Sequence, residues 1–249
     1  MPWVRKRECK RLYYINYSKK EKISMVNFIS KKFLGALAAL VLIMTPALAD
    51  TEVEVGVDAV SRYVWRGTPL GNSVALQPSV NFAIDSGVGV LDEAGSTNVG
   101  IWGSYDLASG DSDEINISFS QGVGPATLSV TDYYFPLAAT GEGNSFFEFG
   151  DDAGHSVEVG ASVDYGDVSL FLGRIVNGTS KEDTYVEIGY GLSDNLTLAL
   201  GAGDGTLAAE EDFALVNVGL SVTSDNDYGA TFILNPDTET AFFVVSKSW

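Results

Sequence analysis

The stretch "VALQPSVNFAI", residues 74–84, changes side-chain character at every step. Val74, Leu76, Pro78, Val80, Phe82 and Ile84 fall on one side. Ala75, Gln77, Ser79, Asn81 and Ala83 fall on the other. Successive side chains of a β-strand point to opposite faces, so this period of two marks a ribbon with one greasy face and one polar face. The pattern recurs. Ile115, Ile117 and Phe119 oppose Asn116, Ser118 and Ser120; Val157, Val159, Ala161, Val163 and Tyr165 oppose Glu158, Gly160, Ser162 and Asp164; Leu196, Leu198, Leu200 and Ala202 oppose Thr197, Ala199 and Gly201.

Twelve such segments run along the chain: 52–66, 73–84, 97–107, 113–121, 125–135, 155–165, 167–176, 183–192, 195–203, 212–223, 227–234 and 240–249. Most exceed the ~5–6 residues of an ordinary globular strand and match the ~9–11 that a tilted strand needs to cross a bilayer. The connections alternate too. "GVGP", "GD" (166–167), "SDN" (193–195) and "SDND" (224–227) are short, whereas 136–154, 177–182, 204–211 and 235–239 are generally longer. Short periplasmic turns, long outer loops and an even strand count predict an all-β fold: a transmembrane antiparallel up-and-down barrel of about twelve strands. Residues 85–96, "DSGVGVLDEAGS", are long where a short turn is needed and are expected to hold strand extensions.

Ahead of the strands, Lys31-Lys32, the apolar run "FLGALAALVLIM", Pro46 and "ALA" before Asp50 read as an export signal cleaved after Ala49. The run is too short for a transmembrane helix; the alternative is an N-terminal anchor. Residues 1–24 lengthen the basic region beyond the usual, and Met25 is the expected start. Residues 50–249 are then a single barrel domain. Of the 15 Lys and Arg, ten lie in 1–49, as do two of the 33 Asp and Glu; the remainder holds five basic and 31 acidic residues, a formal charge of −26. Such a chain lacks the cations that phosphate contacts require, so no nucleic-acid partner is expected. Its one cysteine, Cys9, goes with the signal, leaving no disulfide and no thiolate metal site.

Aromatics cluster at strand ends. Tyr63, Trp65 and Tyr105 stand near outer ends, and Tyr165, Tyr228 and Trp249 near inner ends. They are expected to form girdles at the membrane interfaces; the alternative is the plain preference of aromatics for strands. The closing strand, with Ala241, Phe243, Val245 and Trp249 on one face, suits recognition by the outer-membrane assembly machinery. Lys247 on that face can snorkel to water.

The candidate pore-lining residues lie on the polar faces: Glu54, Asp58, Arg62 and Arg66 on the first segment, then Gln77, Asp106, Glu114, Glu158, Asp164 and Glu187. An arginine facing lipid at the midplane would cost about 2–4 kcal/mol, so both arginines are expected to point inward near the outer mouth. Residues four apart on a strand are separated by ~13 Å, so the partner of Arg66 must come from across the barrel or from a loop. Two readings stay open: a charged constriction that sets ion selectivity, or a salt-bridge ladder that fills the interior.

In "YVWRGTPLGNSVALQPSVNF", the residues Tyr63, Val64, Trp65, Arg66, Gly67, Asn72 and Gln77 resemble the N-terminal motif of proteobacterial exported proteins described as TorF-type porins. "IWGS" (101–104), "EINISF" (114–119), "DYYFP" (132–136) and "VVSKSW" extend the resemblance over most of 52–249. It implies an outer-membrane barrel that forms a pore. Arg62 stands where the family carries a short polar or acidic residue, and 141–154 also departs from it.

The expected function is a porin-like channel in the bacterial outer membrane for small solutes or ions, cation-preferring because acids line it. The alternative is a non-conducting structural or ligand-binding barrel of the outer membrane or periplasm. An enzyme is not expected. The only histidine, His155, adjoins Ser156, but strand neighbours point to opposite faces, and a lone loop histidine reads as solvated. The acidic loops "GDDAGH" (150–155) and "GDG" (203–205) lack regular calcium-loop spacing, so no metal or cofactor is expected. Loop 136–154 is a candidate plug.

Overall fold

The structure, a computed structural model, describes residues 51–89, 94–108, 112–137, 144–149, 154–178 and 182–249. The signal reading of 1–49 lies outside them. In chain order the strands are β1 (Thr51–Val60), β2 (Val64–Trp65), β3 (Thr68–Pro69), β4 (Ala75–Gly89), β5 (Ala94–Asp106), β6 (Glu114–Val123) and β7 (Ala126–Tyr134). Then come β8 (His155–Tyr165), β9 (Val168–Asn177), β10 (Thr184–Ser193), β11 (Leu196–Gly203), β12 (Ala214–Thr223), β13 (Tyr228–Asn235) and β14 (Thr240–Ser248). Among the described residues, β1 and β4 through β14 form a closed, wholly antiparallel barrel of twelve strands, while β2 and β3 form a separate small hairpin.

Eleven of the twelve expected segments coincide with wall strands to within a few residues, the chief difference being that β4 runs on to Gly89 and β5 starts at Ala94. These are the extensions that the long 85–96 connection required. A ten-residue strand spans about 33 Å, and tilted it crosses the ~25 Å apolar band of an outer-membrane barrel. The short connections lie at one end, the turn end; Gly124 (φ 58°) and Gly166 (φ 60°) supply the positive φ of two-residue turns there. The other end carries the longer loops and is called the loop end.

The two faces of the wall separate as the alternation requires. Val55, Phe119, Val130, Val159, Leu172, Ile188, Leu220, Phe232 and Phe243 stand exposed on the outside. Val80 and Phe82 share the parity of exposed Leu76 but are buried. Many inward positions hold small or polar residues: Ser118 opposite Thr131, Ser129 opposite Gly160, Ser169 opposite Gly189, and Ser221 opposite Thr231.

The first expected segment is the exception. Residues 52–66 were read as one strand, but β1 ends at Val60. It pairs with β4 along its whole length, yet meets β14 in register only over Asp58–Val60 against Ser246–Ser248. Ser61 makes the last contacts of this seam, donating its backbone N–H to the carbonyl of Val245 (2.8 Å) and accepting at Oγ from the Val245 N–H (2.9 Å). Beyond it the chain leaves the wall and folds inside.

Candidate functional site at the barrel mouth

The β2–β3 hairpin turns on Arg66 and Gly67, which carry positive φ of 50° and 79°. Two successive positive φ values are what a tight type I′ hairpin demands. Glycine meets this freely, and a Cβ on Gly67 would also stand 1.9 Å from the carbonyl oxygen of Val216. Arginine pays for the left-handed region, about 1–2 kcal/mol. The hairpin is thus pressed against β12 inside the mouth, and Asn235 Nδ2, on the neighbouring β13, donates to the Gly67 carbonyl (3.4 Å).

Arg66 is held by its head group. Nη1 donates to Glu158 Oε2 (2.6 Å) and Nη2 to Glu158 Oε1 (3.0 Å), a bidentate pair whose side chains are only 9% and 4% exposed. Such a fork is stronger and more directional than a single contact. The guanidinium carbon lies 4.3 Å from the ring centres of Trp65 and Tyr185 and 5.4 Å from that of Phe171, within reach of cation–π attraction. Tyr133 completes the node by donating its hydroxyl to Glu158 Oε1 (3.1 Å).

The wall makes room for this cluster. Gly173 lies against the Glu158 carboxylate, where a Cβ would come within 2.7 Å, and Gly201 lies against the Tyr185 hydroxyl, where it would come within 2.0 Å. Tyr185, Leu207 and Val216 form a small apolar core inside the mouth, with Trp65 and Phe171 packed on it. Tyr63 is tucked inside too: its ring sits 5.5 Å from Trp102, and its carbonyl accepts from the N–H groups of Leu70 and Gly71. Tyr63 and Trp65 therefore do not stand at a membrane interface as expected; both serve the inserted segment.

The remaining candidates divide between three settings. Glu54, Asp58 and Asp164 share the inward parity, with Asp58 opposite both Gln77 and Ser248. Gln77 is buried and donates to Ser104 Oγ (3.3 Å). Glu187 accepts from the Tyr185 hydroxyl and from Asn217 Nδ2 (3.1 Å), bracing the wall behind the Arg66 node. Glu114, 1% exposed, hydrogen-bonds Tyr63 and Asn116 beneath the hairpin. Asp106 does not line the shaft: it accepts from Ser73 Oγ (2.6 Å) and the Ala108 N–H (2.8 Å), tying the inserted segment to the next loop. Arg62 is inside the mouth over the Phe242 ring at 5.7 Å, and no carboxylate among the described residues pairs with it.

Tyr105 takes the outward parity opposite Leu76 near the loop end. At the turn end Tyr165 is 85% exposed, and Tyr228 and Trp249 are exposed as well. Lys247 rests its Nζ 5.3 Å from the Tyr228 ring and 5.1 Å from the Trp249 ring. This is the posture of a lysine that lays its stem on an apolar face and lifts its charge to the water.

His155 is not solvated. It is fully buried on the outward side of β8, its Nδ1 2.9 Å from Asp132 and its Nε2 donating to the Phe146 carbonyl (2.9 Å). Phe149 stacks on it at 4.1 Å, and Tyr134 lies 4.6 Å away. Both nitrogens are thus engaged, and Ser156 lies on the opposite face. The arrangement does not make a nucleophile–base pair. Within loop 136–154, the described stretch 144–149 is clamped to the outside of the wall by His155, with Phe147 86% exposed. Asp151 and Asp152 lie outside the described residues. In the other acidic loop, Asp204 Oδ1 accepts from the Thr184 N–H.

No family model and no curated protein sequence matches the chain. Among solved structures, a variant of the Rh. blastica porin aligns with TM-score 0.37 and 11% identity over 74% of each chain. A second variant of that porin gives 0.34 and 10%, and a chain described under "Asymmetric conductivity of engineered proteins" gives 0.35 and 11%, each over 80% of this chain and 100% of the other. Likeness at this level carries no argument; the class rests on the barrel itself. A closed antiparallel wall, an apolar exterior and a small polar interior define a transmembrane β-barrel.

Proposed function

We propose that this barrel is a passive outer-membrane channel for small solutes or ions whose entrance is set by the inserted hairpin. The observation that carries the reading is the inner wall away from the hairpin. Ser118, Thr131, Ser129, Gly160, Gly189, Ala199 and Ser221 leave short polar or empty positions where a filled core would place large apolar side chains. Outer-membrane placement is supported by the exterior apolar surface, by the export signal expected in residues 1–49 and by the resemblance to TorF-type porins. Assembly through the strand that ends at Trp249 belongs to the same proposal.

A cation preference is part of it. Glu54, Asp58 and Asp164 face inward without a paired base among the described residues, while the charge of Arg66 is cancelled by Glu158. Rings of acidic side chains favour cations. Planar-bilayer recording on the purified protein tests the reading: discrete conductance steps with a reversal potential favouring K⁺ over Cl⁻ are expected, and a silent bilayer contradicts it. The buried ion pair that docks the hairpin favours a second reading, a barrel that does not conduct. The same recording separates the two.

A further inference from the structure

We propose that the cavity beneath the hairpin is a binding site for a small organic ammonium ion. The inference concerns the mouth of the barrel alone and does not depend on conduction.

The cavity measures about 270 Å³ and lies between the hairpin residues Trp65–Leu70 and the loop-end wall. One water needs only about 10–15 Å³, so the space admits a molecule of several carbon atoms. Trp65, Tyr133 and Phe135 contribute aromatic rings, and Ile175 and Leu207 add apolar surface. An apolar pocket with a few placed polar groups is the usual form of a small-molecule site.

The charge of the lining selects the ligand. Its described cation, Arg66, is already engaged by both oxygens of Glu158. Asp183 is satisfied by the N–H of Thr206 at 2.9 Å. Glu114 is different. It lines the cavity, it is 1% exposed, and its Oε2 has no hydrogen-bond partner among the described residues. A buried acceptor left unmade is costly, more so when charged. What the site lacks is a donor of positive charge that can also rest on aromatic faces. An alkylammonium group is both, since ring quadrupoles attract cations. An anion would meet Glu114 with no cation left to receive it.

The test is calorimetric titration of the full protein in detergent with propylammonium and tetramethylammonium chloride, against isobutanol and propionate. Saturable binding of at least one ammonium, about tenfold or more tighter than isobutanol or propionate, is expected. Glu114→Gln should weaken it by about tenfold or more. Ile175→Trp, which fills the space and leaves the carboxylate in place, should abolish it, and this variant serves if Glu114→Gln does not fold. Propionate binding as well as the ammonium ions, no saturable binding of either cation, or full binding to Ile175→Trp would each overturn the proposal. Conductance is recorded separately, so a silent channel that still binds ammonium refutes the transport reading and leaves this one standing.

Discussion

Arg66 and Glu158 are 92 residues apart in sequence, yet they meet head-on across the lumen through two hydrogen bonds of 2.6 and 3.0 Å. Their pairing joins a segment that has left the wall between β1 and β4 to the strand β8. It fixes the hairpin inside the mouth of the barrel. Because both side chains are nearly buried, losing one partner strands the other's charge, a penalty of about 3–5 kcal/mol.

Glu158→Gln and Arg66→Ala should each undock the hairpin while leaving the wall intact. Barrel hydrogen bonds do not pass through this pair, so heat-modifiable migration in gels should persist. Unitary conductance in planar bilayers should rise in both variants. Unchanged conductance would mean that the hairpin does not limit passage.

Gly67→Ala tests the close approach to β12 independently of charge. A methyl group there would meet the Val216 carbonyl oxygen at 1.9 Å on a backbone with φ of 79°. The left-handed conformation alone costs alanine about 1–2 kcal/mol, and the clash adds to it. The variant should therefore reproduce the conductance of Arg66→Ala although the ion pair is untouched. Wild-type conductance would contradict the described docking.

His155→Ala should free residues 144–149 from the outside of the wall. The histidine supplies one hydrogen bond to a carbonyl and one to a carboxylate, together worth about 3 kcal/mol. Hydrogen exchange at Phe146–Phe149 should accelerate, with β7 and β8 below the rim unaffected. Equal exchange in wild type and variant would show that the clamp is not made.

The wall was legible because its physics is local. A period of two, turn residues at one end and strand lengths near ten survive in any stretch such as 74–84 or 155–165 without knowledge of neighbours. The hairpin was not. "YVWRG" continues the alternation of β1 without a break, and only the adjacent positive-φ residues Arg66 and Gly67 mark the turn. An arginine before a glycine is a weak turn signal beside Asn-Gly or Asp-Gly. Strand distance did require that Arg66 find its acid across the barrel, but which acid depends on closure, and closure is not written in any one segment. His155 misled for the same reason: its acceptor Asp132 and its cover Phe149 come from another strand and from a loop.

Val130 and Val159, directly paired on adjacent strands, face lipid, while Ser129 and Ser162 face water. Replacement of Cys9 gives a cysteine-free background. Single cysteines at these four positions, spin-labelled in bilayers, can be relaxed by oxygen from the membrane or by a nickel chelate from water. Oxygen-dominated relaxation is expected at 130 and 159, and chelate-dominated relaxation at 129 and 162. The reverse pattern would turn the barrel inside out and contradict both the lumen and the constriction placed in it.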